Sequence, residues 1–293
     1  MRLMVDGDIS RYELGAVCQS KELHFGVDVI RPHSETKCRE VVDRFVNNLV
    51  EATDSEQFEI FLSAGSNYRN DIAITNPYKG QRTSPKPFHW RTIGEILIAD
   101  YGAYVVHGAE ADDALSIFGR QNPEGTLIAS RDKDLRIVPC WHYSWRCGES
   151  QPEVPIHKVE RLGTIGAQDY PSGGYKLTGN GLKFFYGQVL CGDAIDNYKG
   201  CPGIGPQKAV AALANCETEE ELFEAVYWIY VTKRGPVEGL RLLIENARLA
   251  WLLDDAEVTY DAHNIHISPK HLWEPPTSVP TGYSSGDIPV AED

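Results

Sequence analysis

The sequence has no Cys-x-x-Cys pair, no internal repeat, and no apolar run approaching the roughly 18 residues that a membrane-spanning helix needs. Its seven cysteines are odd in number and unpaired in spacing. That excludes a disulfide framework and the common zinc patterns, and points to reduced thiols in a cytoplasmic setting. The nine histidines show no spacing that would join them to those cysteines in a metal site. The opening residues, MRLMVDGDIS, are too short and too acidic an apolar run for a secretory leader. A cationic excess is missing as well. The net charge of −14 is the wrong sign for ordinary binding to a phosphate backbone.

What is present is unevenly placed. Residues 69–91 carry Arg69, Lys79, Arg82, Lys86 and Arg91 against Asp71 alone. This basic strip on an acidic body is either a solvated loop or a surface that steers a polyanion. At 293 residues the chain can bury a large core. Its first half alternates strand and helix signals. RLMVD, FEIFLSA, YVVHG and TLIASRDKDL read as strands. TKCREVVDRFVNNLVEAT, TIGEILIADYG and EADDALSIFG read as helices, the first with an apolar stripe of Val41, Val42, Phe45, Val46, Leu49 and Val50. Such alternation predicts an α/β fold with a parallel sheet, whose ligands sit beyond the carboxyl ends of the strands. Residues 146–183 read as a hairpin or irregular excursion, and the pattern from Gly181 to about Leu253 is helical.

Four acidic groups fall at predicted element ends: Asp6 and Asp8; Glu110, Asp112 and Asp113; Asp132 and Asp134; Asp193 and Asp196. Singly each is ordinary, since acids cap helices. In a parallel sheet the first three groups converge on one edge. Two charges about 4 Å apart repel by roughly 4 kcal/mol at an effective dielectric of 20, so a convergent set requires cations or altered protonation. Hard divalent ions with oxygen ligands meet that need, and a pair of them suits phosphodiester hydrolysis.

The last acidic group runs straight into CPGIGPQKA. Gly203 and Gly205 permit close backbone approach, and Pro206 suits the first turn of a helix. The open N–H groups there can hold one phosphate, with Lys208 nearby. The Walker spacing is absent. Either this is a plain turn between helices or a grip on a DNA backbone without base reading.

In order along the chain, Asp6, YKGQR (78–82), EADD, S-x-D-x-D, GDxxDN and GxxGxGPxKA resemble the 5′-nuclease superfamily, the flap endonuclease and 5′–3′ exonuclease family, and its bacteriophage members in particular. The resemblance implies a PIN-like parallel sheet core over 1–183 with a helical arch at about 69–100. A helix-three-turn-helix region over 184–275 would belong to the same nuclease unit, with a flexible tail at 276–293. It implies metal ligation by Asp6, Glu110 and Asp112, with Asp113 beside or between the ions, and by Asp132, Asp134, Asp193 and Asp196. Lys79 and Arg82 match the basic pair that reaches the scissile phosphate, and Tyr78 the aromatic on which a terminal base stacks. Arg69, Lys86, Gly203, Gly205, Gln207 and Lys208 complete the expected DNA contacts. The implied cofactors are two Mg²⁺ or Mn²⁺ ions, with K⁺ at the helix-three-turn-helix. The implied partner is duplex DNA with a 5′ end or a 5′ flap, met by a monomer in the cytoplasm, a host's if the protein is viral.

One departure stands out. Many relatives carry an aspartate at the end of the strand before the arch, where this chain has Ala64. That motivates a rival reading, a structure-specific DNA-binding protein with a lapsed active site. LMVDGDIS and GDAID also superficially fit a haloacid-dehalogenase-like phosphatase, but that reading leaves EADD, SRDKD and the basic strip without roles. A bare PIN ribonuclease would lack the helical second half.

Overall fold

The computed structural model describes residues 1–170 and 173–276. The elements in chain order are β1 (Arg2–Asp6), α1 (Gly7–Val17), β2 (Gln19–His24), β3 (Val27–Pro32), α2 (Glu35–Thr53), β4 (Phe58–Asn67), α3 (Arg69–Ile72), α4 (Trp90–Tyr101), β5 (Tyr104–Gly108), α5 (Ala111–Gln121) and β6 (Thr126–Ala129). A 3₁₀ turn (Asp134–Ile137) leads to β7 (Trp141–Ser144), β8 (Val154–Lys158), β9 (Thr164–Asp169) and β10 (Tyr175–Asn180). The second half holds α6 (Gly181–Cys191), α7 (Pro206–Leu213), α8 (Glu219–Arg234), α9 (Pro236–Ala250), β11 (Ala256–Asp261) and β12 (Asn264–Pro269).

The main sheet runs β11-β12-β5-β4-β1-β6-β7-β8. Every neighbouring pair from β12 to β7 is parallel, and the two outer pairs are antiparallel. Alternation along each strand decides which face a residue serves. Leu3 and Val5 of β1 join Ile60, Leu62, Leu127 and Ala129 in a core beneath α1, α2 and α4. Met4, Phe61, Val106 and Ile128 face the other way, onto α5, α6, α8 and α9. The chain leaves β1 toward β4 but leaves β6 toward β7. The topological switch point therefore lies between β1 and β6, which is where an open α/β sheet makes its ligand crevice.

Three expectations change. The strand expected over 126–135 stops at Ala129, beyond which Ser130 Oγ accepts the Asp132 N–H and Asp132 Oδ1 accepts the Asp134 N–H, bonds a strand would give to its neighbour. The arch at about 69–100 is helical only at its ends, in α3 and α4. Pro77, Pro85 and Pro87 between them lack the N–H that a helix interior requires. The stretch 184–275, expected to be helical, closes with the β11–β12 hairpin, whose second strand pairs with β5 in the main sheet. The β2–β3 hairpin has no counterpart in the sequence reading. Beyond Pro276 the expected tail lies outside the described residues.

Candidate active site at the carboxyl edge of the sheet

Asp6 ends β1 and caps α1. Its Oδ1 accepts the N–H groups of Asp8 and Ile9, each at 3.1 Å, and its Oδ2 accepts the Ser130 hydroxyl at 2.6 Å. Gly7 lets the two elements meet, since a Cβ there would come within 2.4 Å of the Phe61 carbonyl. Ser130 follows β6, and its Oγ in turn accepts the Asp132 N–H at 2.8 Å. Asp112, in the first turn of α5, enters the same field. Burial, then the charges of Asp132 and Asp8, push the Asp6 carboxyl up to about 7. Burial and Asp134 push Asp132 up to about 6, while burial, Asp6, Asp132 and Glu110 hold Asp112 well above the usual carboxylate range. These three acids have too little positive charge around them.

The remaining acids have partners. Lys133 lies 3.0 Å from Asp134 and is also bonded to Asp193, while Gln188 donates to Asp134. Burial works against ionised Asp193, yet Lys133 and the N–H groups of Asp196 and Ile195 hold it below the ordinary range. Glu110 accepts the Tyr78 hydroxyl at 2.8 Å and pairs with Lys79. Despite burial, Lys79 and Arg69 hold Glu110 low. Asp196 lies 3.3 Å from Arg82 and 3.9 Å from Lys79. Two bonds pin the foot of the arch to this turn: Lys79 N–H to the Asp196 carbonyl at 3.2 Å, and Asn197 Nδ2 to the Pro77 carbonyl at 2.9 Å. Lys79 takes a φ of +53°, uncommon for a residue with a side chain.

Lys79, Arg82, Glu110, Asp112, Asp132, Asp134 and Asp196 line a cleft of about 30 Å³. Among the described residues, no three His, Cys, Asp or Glu side chains already stand in a metal-holding arrangement. The ammonium groups of Lys79 and Lys133 lie among the carboxylates and supply part of the positive charge. The uncompensated crowd of Asp6, Asp112 and Asp132 offers hard oxygen donors of the kind that Mg²⁺ and Mn²⁺ take. A divalent ion fits the chemistry of that half of the site.

Three of the sequence-derived roles need correction. Asp113 was expected as a catalytic and metal-binding acid. Instead it is wholly buried and accepts four bonds: Arg69 at 2.7 and 2.8 Å, Glu110 N–H at 3.0 Å and Leu253 N–H at 3.1 Å. Four accepted bonds fill the lone pairs of a carboxylate, so Asp113 holds structure. Arg69, expected on DNA, is 1% exposed and also donates to the carbonyls of Leu249 and Trp251. Tyr78, expected to stack on a base, is buried with its hydroxyl on Glu110. Lys86 is exposed and lies over Trp90, away from the cleft lining. Gly203, Gly205, Gln207 and Lys208 are exposed around the start of α7.

The sequence reading passed over Ser130, Gln188 and Asn197. Ser130 and Asn197 carried a signal, as the first residue of S-x-D-x-D and the last of GDxxDN. Ala64 lies within β4, which runs on to Asn67, and brings no acid, but the Asp8 carboxylate reaches the Ser63 N–H at 3.2 Å. Ser63 Oγ accepts the Ala111 N–H at 2.8 Å, tying β4 to the start of α5.

A mainly parallel sheet thus carries crowded acids at its switch point and cations on the facing wall. No protein-family model matches the chain. A DNA polymerase I of Rhizobium leguminosarum is 28% identical over 222 residues, covering 70% of this chain; the chain spans 19% of that protein's length. Among solved structures, a bacteriophage T5 flap endonuclease in a pseudo-enzyme–product complex with DNA and metal ions superposes with a TM-score of 0.53 at 14% identity, over 85% of this chain and 88% of that one. The T5 5′-exonuclease with bound zinc gives 0.53 at 14% identity, over 85% and 93%. The fold is that of these T5 structures.

Proposed function

We propose that the protein is a divalent-metal-dependent 5′-nuclease that hydrolyses DNA phosphodiester bonds, as a 5′–3′ exonuclease on duplex ends and an endonuclease on 5′ flaps. The observation that carries this reading is the crowd of Asp6, Asp112 and Asp132 at the sheet's switch point, facing Lys79 and Arg82 across one cleft. Asp6, Asp112 and Asp132 would hold one divalent ion and Asp134, Asp193 and Asp196 a second, and such ions would supply an activated water and charge stabilisation for in-line displacement. Lys79 stays protonated through neutral pH: burial opposes its charge, but Glu110 and Asp196 outweigh it. It acts on the phosphate as a point charge and Arg82 as a fork. Asp6, Ser130 and Asp132 bond one another in sequence, which keeps the acids positioned before DNA arrives.

The duplex is held at α7. Gly205 has a φ of −108°, open to any residue, and a Cβ there would touch nothing within 4 Å. Neither conformation nor internal packing requires glycine at that point, and the open space leaves a phosphate room to approach the exposed N–H groups. Gly203, Gln207 and Lys208 share this face, and K⁺ on the carbonyls of the same turn belongs to the reading. The products carry a 5′-phosphate, no covalent protein intermediate forms, and the protein works as a monomer.

Digesting 5′-labelled and 3′-labelled duplexes side by side with Mg²⁺ or Mn²⁺ tests the proposal. Short labelled products from the 5′-labelled strand alone, absent in chelator, are expected. Salt-sensitive binding without any metal-dependent product would establish the lapsed-site reading instead.

A further inference from the structure

Between α3 and the turn at 78–81 the chain has no regular structure. Its backbone donors therefore have no helix or strand to satisfy them. One side chain takes two of them. Glu245, in the interior of α9, accepts the Ile74 N–H at 2.8 Å and the Thr75 N–H at 2.5 Å on Oε1, and the Thr75 hydroxyl at 2.6 Å on Oε2. Arg241, one turn earlier on α9, donates to Glu245 Oε2 at 2.9 Å and is itself held by Glu238. Glu245 is buried, although Ile74 and Thr75 are exposed. Burial opposes its charge, but the Thr75 hydroxyl, the two N–H groups and Arg241 outweigh it and hold its carboxyl below the usual range.

None of the four acidic groups includes Glu245, and it stands outside the cleft that Lys79 and Arg82 share with Asp112 and Asp132. Four residues beyond Thr75, Lys79 has a φ of +53°, its N–H bonds the Asp196 carbonyl, and its ammonium pairs with Glu110. Tyr78 bonds Glu110, and Asn197 bonds the Pro77 carbonyl. Those ties all run to Glu110 or to the 193–198 turn, whose carboxylates the nuclease reading gives to the ions. The bonds to Glu245 come instead from α9, which packs on α6 and α8. Arg69, at the start of α3, reaches the Leu249 and Trp251 carbonyls at the end of the same helix. The foot of the arch is thus held from outside the charged cleft as well as from within it.

We propose that Glu245 is a positioning residue for Lys79: by fixing residues 74–75 on α9 it sets where the Lys79 ammonium meets the scissile phosphate. This rests on the nuclease reading above. Four residues reach at most about 14 Å, so slack at Thr75 passes to Lys79 instead of being absorbed along the chain. A displacement of about 1 Å at a reacting group can cost up to about a hundredfold in rate.

The test compares wild type, Glu245→Gln, Thr75→Val and Glu238→Gln on a labelled 5′-overhang duplex with Mn²⁺, well below each thermal midpoint. Glu245→Gln keeps the shape but gives up the charge, and should lower kcat about tenfold with KM within about twofold. Thr75→Val should lose about threefold in kcat. Glu238→Gln removes bonds to Arg241 and none to the arch, and should keep the wild-type rate. In the Lys79→Ala background the Glu245 change should cost nothing further, since it acts through that ammonium. Amide hydrogen exchange in chelator gives a readout apart from turnover: the amides of residues 74–79 should exchange about tenfold faster in Glu245→Gln. Faster exchange with undiminished kcat makes Glu245 a structural latch only and overturns the proposal, as does a loss that multiplies fully with that of Lys79→Ala. Wild-type cleavage with an equally active Glu245→Gln overturns the positioning role alone. A wild type that cleaves nothing sinks the nuclease reading itself.

Discussion

The two halves of the carboxylate site carry similar acids that differ in how directly cations bond them. Around Lys133 and Lys79, the acids Asp134, Asp193, Glu110 and Asp196 each have an ammonium or guanidinium within about 4 Å. Between β1 and β6, Asp6, Asp112 and Asp132 have one another, and their carboxyls are pushed upward. Lys133 and Lys79 bond the first group directly and act on Asp132 and Asp112 only from further off, while Asp196 is pushed upward by burial and its acidic neighbours despite its partners. A divalent cation at the crowded half would supply positive charge that its own side chains do not.

The sharpest way to break this comparison is Asp132→Asn. Cleavage of labelled duplex should fall by about ten-thousandfold, near 5 kcal/mol of barrier, while DNA affinity in chelator stays within about twofold. Asp193→Asn should cut the rate by a smaller factor, because Lys133 retains Asp134. Equal losses from both would erase the distinction between the halves. Next in size is Arg69→Ala, which leaves Asp113 buried and unpaired. Removing one partner of a buried ion pair costs about 3–5 kcal/mol, so the denaturation midpoint should drop accordingly, and an unchanged midpoint would show that the pair is not holding α5 to residues 249–253. Lys79→Ala should lower the rate at saturating DNA about a hundredfold, with little change in thermal midpoint; a loss confined to affinity would remove Lys79 from the reacting phosphate. Smallest is the direct effect of metal on stability. Mn²⁺ at about a hundred times its dissociation constant should add about 2.7 kcal/mol to unfolding, read as a higher melting temperature. The gain should shrink in Asp6→Asn and persist in Asp193→Asn.

Much of the fold was legible because its signals are local. RLMVD ends in an acid where β1 ends, and the stripe from Val41 to Val50 is the buried side of α2. EADD reads as a helix start, and Glu110 and Asp113 do form a capping box there. The hairpin β11–β12 was not legible as part of the sheet, since its pairing to β5 joins Asn264 to Val105, far apart in sequence. Asp113 shows the same limit in the site. By motif it looks like a catalytic acid, and only the Leu253 N–H and the Arg69 guanidinium reveal a saturated group.

The amino-acid order by itself determined which residue types stand at the ends of strands and helices. It therefore set the acids, the basic arch and the glycine turn, because periodicity and capping act within a few residues. Tertiary structure alone decided which acids are compensated. Charge pairing depends on distance through space, and the reach of Arg69, Lys79 and Lys133 across separate elements exists only once the sheet and its helices have packed.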